Sequence, residues 1–188
     1  NEGDMEVDSD TFIHLASSRL PDLFPNARFI LCVRDFSSWC VSAVALYWRR
    51  VLLDQHWFPR ISSAVIPGQS IENIKSLEQI ESIAPTVLPQ VADFWSKSTL
   101  NVLKNIPSER LMVLRMQELD TSLGKIASFA GFDEKMLCYE RRHFNVGTSS
   151  SINAIRNILD TEMLMRIGAT ATEQVEAALA LHKRGATQ

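Results

Sequence analysis

Phe29-Ile30-Leu31-Cys32-Val33-Arg34-Asp35-Phe36-Ser37-Ser38-Trp39-Cys40-Val41-Ser42 is the stretch whose reading decides the fold. Its first five residues are a continuous apolar run of strand formers, preceded by the turn-forming Phe24-Pro25-Asn26 and cut off by Arg34-Asp35. That predicts a strand buried on both faces, as parallel strands are. Ser37 or Ser38 then offers a hydroxyl to cap a helix carrying Trp39, Val41, Ala43, Leu46 and Tyr47, with Arg49-Arg50 in its last turn to complement the dipole.

Upstream, residues 11–20 place Phe12, Ile13, Leu15, Ala16 and Leu20 at roughly helical spacing, and this helix is expected to stop before Pro21. Downstream, residues 51–85 mix Trp57, Phe58, Pro59 and Pro67-Gly68 without a clean period and read as a long excursion. From Pro85 onward Val87, Val91, Phe94, Trp95, Leu100, Val102, Leu103 and Ile106 outline a long amphipathic helix that Pro107 ends. Leu111-Met112-Val113-Leu114-Arg115 is a second buried strand, and Asp120-Thr121 opens a helix that Gly131 stops. A polar loop over 141–151 leads to two last helical stretches, 152–166 and 170–183. Strands alternating with helices make residues 1–188 one α/β domain, a parallel sheet flanked by helices.

Composition bounds the function. The chain has 188 residues, is 46% hydrophobic and 22% charged, and carries a net charge of −3, the profile of one soluble domain. A slightly acidic chain has no general field for polyanions, so nucleic acid is not an expected partner. The longest runs without charge, 36–48 and 143–155, fall short of the roughly 20 apolar residues of a membrane span. Asn1-Glu2-Gly3-Asp4 is acidic and is not expected to be a signal peptide. Cys32, Cys40 and Cys138 form no CxxC pair and read as small buried hydrophobes of a reducing, cytoplasmic setting. His14, His56, His143 and His182 show no HExxH or HxH spacing, so no metal is expected.

Ligands of an open parallel sheet bind beyond the carboxyl ends of its strands, where Arg34 lies. A guanidinium there offers a rigid donor fork, and the N–H groups at the start of the following helix face the same crevice; together they suit a phosphate. Ser42 stands one turn after Ser38, so both hydroxyls can look toward Arg34. The alternative is a surface Arg34-Asp35 neighbourhood making ion pairs, with Ser38 only a cap.

The segment from Asn26 to Ser42 resembles the 3′-phosphate-binding segment of sulfotransferases that use 3′-phosphoadenosine 5′-phosphosulfate (PAPS). In that family an apolar strand ends in an Arg and a Ser follows eight residues later, as Ser42 follows Arg34. Phe94-Trp95, then the stretch from Ile106 to Leu119 with its polar-Glu-Leu turn, resemble the second signature region, and 123–132 the helix that follows it. The resemblance implies a sulfotransferase-like member of the P-loop nucleotide-binding architecture. Arg34 and Ser42 would grip the 3′-phosphate of PAPS, and adenosine 3′,5′-bisphosphate (PAP) would be the product. It implies further that residues 141–148, through Asn145 and Gly147, fold over the adenine and 3′-phosphate; a solvated loop before a helix is the equal alternative. The acceptor base implied is His14, twenty residues before Arg34, with Asp8 or Asp10 as acidic rivals and a partly buried helix residue as the plain alternative for His14. Trp48, His56, Trp57 and Phe58 are candidates for lining an acceptor pocket, or for core.

One departure counts against a complete enzyme. The family binds the 5′-phosphosulfate with a Gly-rich loop, and these residues contain no GxxxxGK[ST] or GxxxxGT. In the family that loop lies well upstream of the Arg-ending strand, so the expectation is a domain incomplete at its N-terminus. The reaction implied is transfer of a sulfuryl group to a hydroxyl or amine of a small-molecule or glycan acceptor. The rivals are a non-catalytic remnant or interaction module that keeps the scaffold, and a nucleotide kinase-like phosphotransferase, which needs ATP, Mg²⁺ and a Walker loop.

Overall fold

The computed structural model of the chain describes residues 13–52, 74–136 and 149–185. Two strands, β1 (Phe29–Val33) and β2 (Leu111–Arg115), pair in parallel with Phe29 opposite Leu111 and Val33 opposite Arg115. Around them lie α1 (Leu20–Leu23), α2 (Phe36–Leu52), α3 (Leu77–Asn105), α4 (Leu123–Ala130), α5 (Ser149–Ile158) and α6 (Thr161–Gly185). The fold class is the expected one, a parallel sheet flanked by helices, and both strands fall where the apolar runs put them.

The expectation that β1 is buried on both faces is corrected. Val33 is 3% exposed while Ile30 is 40% exposed, and burial alternates along the strand. An apolar run shows that a strand exists; how many of its faces are covered depends on elements remote in sequence.

The main core lies on the Val33 side of the sheet. It joins Phe36, Cys40, Ala45 and Trp48 of α2, Val87, Val91 and Trp95 of α3, and Leu164, Val175 and Leu179 of α6; Ile155 of α5 and Leu159 just after it complete the packing. Trp48 therefore belongs to the core and not to an acceptor pocket. A smaller cluster of Leu20, Val102, Ile106 and Leu111 seals the entry to β2. Arg110 ties the two strand entries together. Its Nε donates to the Ala27 carbonyl at 2.9 Å, its Nη2 to that of Phe24, and its guanidinium lies 5.4 Å over the Phe29 ring.

Several helix boundaries differ from the sequence reading, each for a local reason. The segment before Pro21 is a 3-10 turn over Ile13–Ala16, and Pro21 sits in the first turn of α1, where its missing N–H costs nothing. α3 begins eight residues before Pro85, at a capping box: Ser76 Oγ accepts from Gln79 N at 3.3 Å, and Gln79 Oε1 accepts from Ser76 N at 3.2 Å. Pro85 and Pro89 lie inside it, on exposed positions. The last two helices divide at Asp160, not near Gly168. The Asp160 carboxylate accepts from the Glu162 and Met163 N–H groups, each at 3.2 Å, and caps α6. α4 ends as expected, with Gly131 left-handed at φ 86°.

Candidate functional site

β1 gives out at Val33, so Arg34 and Asp35 form the crossover into α2 beyond the carboxyl end of the sheet. Val33 on one side and Phe36, 2% exposed, on the other hold this two-residue bridge from both ends. Arg34 Nη1 donates to Ser42 Oγ at 2.8 Å in a half-buried contact. The guanidinium carries five N–H donors in a planar fork, and this bond fixes the plane in which the fork lies.

The start of α2 is organised differently from expectation. Asp35 is its cap, in place of Ser37 or Ser38: Oδ1 accepts from Ser38 N at 2.8 Å, and the Asp35 carbonyl accepts from Trp39 N at 2.9 Å. Asp35 directly precedes the first helical residue, the position from which a short carboxylate reaches the N3 amide. A negative charge thus already occupies part of the helix end assigned to an anion. Of the two groups expected to attract an anion, the helix terminus is the one this charge offsets.

The neighbouring strand ends in a second arginine. Arg115 lies in register with Val33, its guanidinium is ion-paired with Glu176 of α6, and its backbone N–H donates to Glu118 Oε2 at 3.1 Å. The hydrogen bond that Arg115 donates to the Glu176 carboxylate holds the Arg115 pKa above its ordinary value. The pair is half-exposed, so its contribution to stability is at most about 1 kcal/mol. Sequence reading missed it because Glu176 is one acidic residue among several on a long helix and nothing local marks it.

His14, in the 3-10 turn Ile13–Ala16, is half-buried and edge-on to Phe94 of α3, with ring centroids 5.3 Å apart at 76°. Phe94 stacks on Trp39 at 6.5 Å, and Trp39 lies 6.4 Å from Phe36. A row of rings therefore runs from His14 to the first turn of α2. The Asn105 Nδ2 donates to Ser17 Oγ at 3.2 Å and fastens the same N-terminal segment to the far end of α3.

The structure thus brings Arg34 and Ser42 together and sets His14 on the aromatic row. Asp8, Asp10, Asn145 and Gly147 lie outside the described residues, as do His56, Trp57 and Phe58. Of the cysteines, Cys40 is buried, and burial pushes its thiol up to about 12. Cys32 is exposed, which corrects the expectation of burial, although partial desolvation still raises its pKa. Cys138 lies outside the described residues. Among the described residues no group of three or more His, Cys, Asp or Glu could hold a metal ion, and no helix is long and apolar enough to cross a membrane.

Comparison with known protein families gives a match. The family model described as a sulfotransferase domain covers residues 3–134, more than two thirds of the chain and all of the sheet, α2, α3 and α4. No curated protein and no solved structure matches the chain.

Proposed function

Because the chain belongs to the sulfotransferase domain family, we propose that it transfers a sulfuryl group from PAPS to a hydroxyl or amine of a small-molecule or glycan acceptor, with Arg34 and Ser42 holding the donor's 3′-phosphate. The observation that carries this reading is the Arg34–Ser42 hydrogen bond beyond the end of β1. A ribose 3′-phosphate is a doubly charged monoester, and a guanidinium fork beside a hydroxyl matches its charge and its spread of acceptor oxygens. Asp35 opposes that charge, so the fit rests on Arg34 outweighing its neighbour. When bound, PAPS supplies an activated sulfuryl group with a phosphate as leaving group.

Arg34 and Ser42 act on the remote end of the donor, where binding energy goes into orientation. His14 is the residue assigned to take the acceptor's proton. Its support is its place on the aromatic row that reaches Trp39, with Phe94 screening one flank from water. Asp8 is the rival base.

Calorimetric titration with PAP tests the site. Arg34→Ala is expected to fold and to weaken PAP by about 2–3 kcal/mol, the usual loss for a charge-assisted phosphate contact. A folded Arg34→Ala that binds PAP as well as the parent would reject the site. Tight binding of ATP without PAP would favour a phosphotransferase. PAP binding with no sulfate transfer to any acceptor would mark a non-catalytic relative.

A further inference from the structure

A contact next to this site comes from a helix beyond the family-matching stretch. α6 packs on α2 and α3 through Leu164, Ala171, Val175 and Leu179, and Gly168 lies on that same buried face. A methyl group at Gly168 would sit 2.9 Å from Phe36 Cγ and Cε1 and closer still to Cδ1. The ring has nowhere to go, being 2% exposed and wedged against Trp95 at 5.7 Å and Trp39 at 6.4 Å. Glycine inside a helix is unfavourable relative to alanine, so one held there by a close approach serves packing. Phe36 is the first residue of α2 and stands two residues after Arg34; where its ring rests sets the path of the crossover. The same helix grips the other strand end, because Glu176 holds Arg115 opposite Val33.

We propose that α6 positions Arg34, with Gly168 acting through Phe36 as a positioning residue of the anion site. The identity of the anion rests on the reading of the preceding subsection; the seating of Arg34 on Ser42 does not. The test therefore has two readouts on the full chain, the Arg34 Nε–H signal by NMR and PAP affinity by calorimetry. Gly168→Ala is expected to shift the Arg34 signal and weaken PAP at least tenfold. Adding Phe36→Leu, which makes room for the methyl, is expected to return the signal and bring affinity to within threefold of the parent. Leu179→Ala, a core truncation farther along α6, is expected to lower thermal stability without moving the Arg34 signal. The proposal is overturned by a folded Gly168→Ala with an unmoved signal and affinity within twofold, or by a folded double variant as altered as the single one. If the parent shows no affinity for PAP while the Arg34 signal follows the expected pattern, the nucleotide reading fails and the positioning role stands.

Discussion

Asp35 performs two tasks that pull in opposite directions. Its carboxylate caps α2 through the Ser38 amide, yet it puts a negative charge beside the guanidinium assigned to a phosphate. Asparagine caps a helix about as well as aspartate, so Asp35→Asn is expected to keep the melting temperature while tightening PAP roughly 3- to 10-fold at low salt, an effect that shrinks as salt screens it. Titration at two salt concentrations checks this, and weaker binding by the variant would contradict it. Cys40 gives a second single-residue expectation. Burial pushes its thiol from the ordinary 9.0 up to about 12. Its contribution to stability is complete below pH 9 and is lost at about 1.4 kcal/mol per pH unit between those values, because only the unfolded chain releases the proton there. Cys40→Ala leaves a small cavity and is expected to be about 1 kcal/mol less stable than the parent at pH 7, whereas the parent loses about 1.4 kcal/mol by pH 10, so that the gap has closed there. Urea unfolding at the two pH values reads it, and a gap constant with pH would exclude the effect. The Arg34–Ser42 pair was legible in the sequence because Arg34 follows the strand directly and Ser42 lies in the second turn of the helix after it, so local periodicity places them. The Phe36–Gly168 and Arg115–Glu176 contacts were not, since each joins residues on elements far apart in the chain.

At the scale of the element, α3 shows what apolar periodicity reads well and what it does not. Its buried stripe of Val87, Val91, Trp95 and Val102 follows the pattern that predicted a helix. Its start was displaced by eight residues because Pro85 looked like an N-terminal residue, while the stronger signal, Ser76 with Gln79 three residues on, lay in the stretch read as an excursion. α6 differs in a similar way: it starts at the Asp160 cap, inside the stretch expected to be one helix over 152–166, and it runs without a break through Gly168, which packs against Phe36. The strands were found because a five-residue apolar run between turn residues is too short for a helix; the exposure of Ile30 was not, since coverage of a face is a tertiary property. Pro85 and Pro89 lack the N–H groups that would bond to the carbonyls of Glu81 and of Pro85 itself, so α3 carries two gaps in its ladder one turn apart. Both prolines are exposed, and no core packing is lost on removing their rings. Pro89→Ala is accordingly expected to stabilise the chain by about 1–3 kcal/mol. A lower urea midpoint for that variant would contradict this.

For the molecule as a whole, the stretch that matches the family and the stretch that folds are not the same. The match ends at residue 134, yet the largest fully buried side chains include Ile155, Leu159, Leu164 and Val175, all beyond it. These four and Leu179 cover Phe36, Cys40, Val91 and Trp95, the inner faces of the two helices that carry the site. At about 1.5–3 kcal/mol per buried aliphatic side chain, their burial is worth roughly 7–15 kcal/mol, as large as the whole stability of a typical domain, about 5–15 kcal/mol. Without α5 and α6 the remaining members of the main cluster, Phe36, Cys40, Val91 and Trp95 among them, lose this cover, and neither the second cluster, with four buried members, nor the Arg115–Glu176 pair makes up for it. Residues 1–148, though they contain the entire family-matching stretch, are therefore expected to show no cooperative urea transition and to bind a hydrophobic dye. The full chain is expected to unfold in one step as a single core. A cooperative transition for 1–148 with a midpoint near that of the full chain would mean that α2 and α3 cover their apolar faces without α5 and α6, and the dependence of Arg34 on α6 would then lose its physical basis.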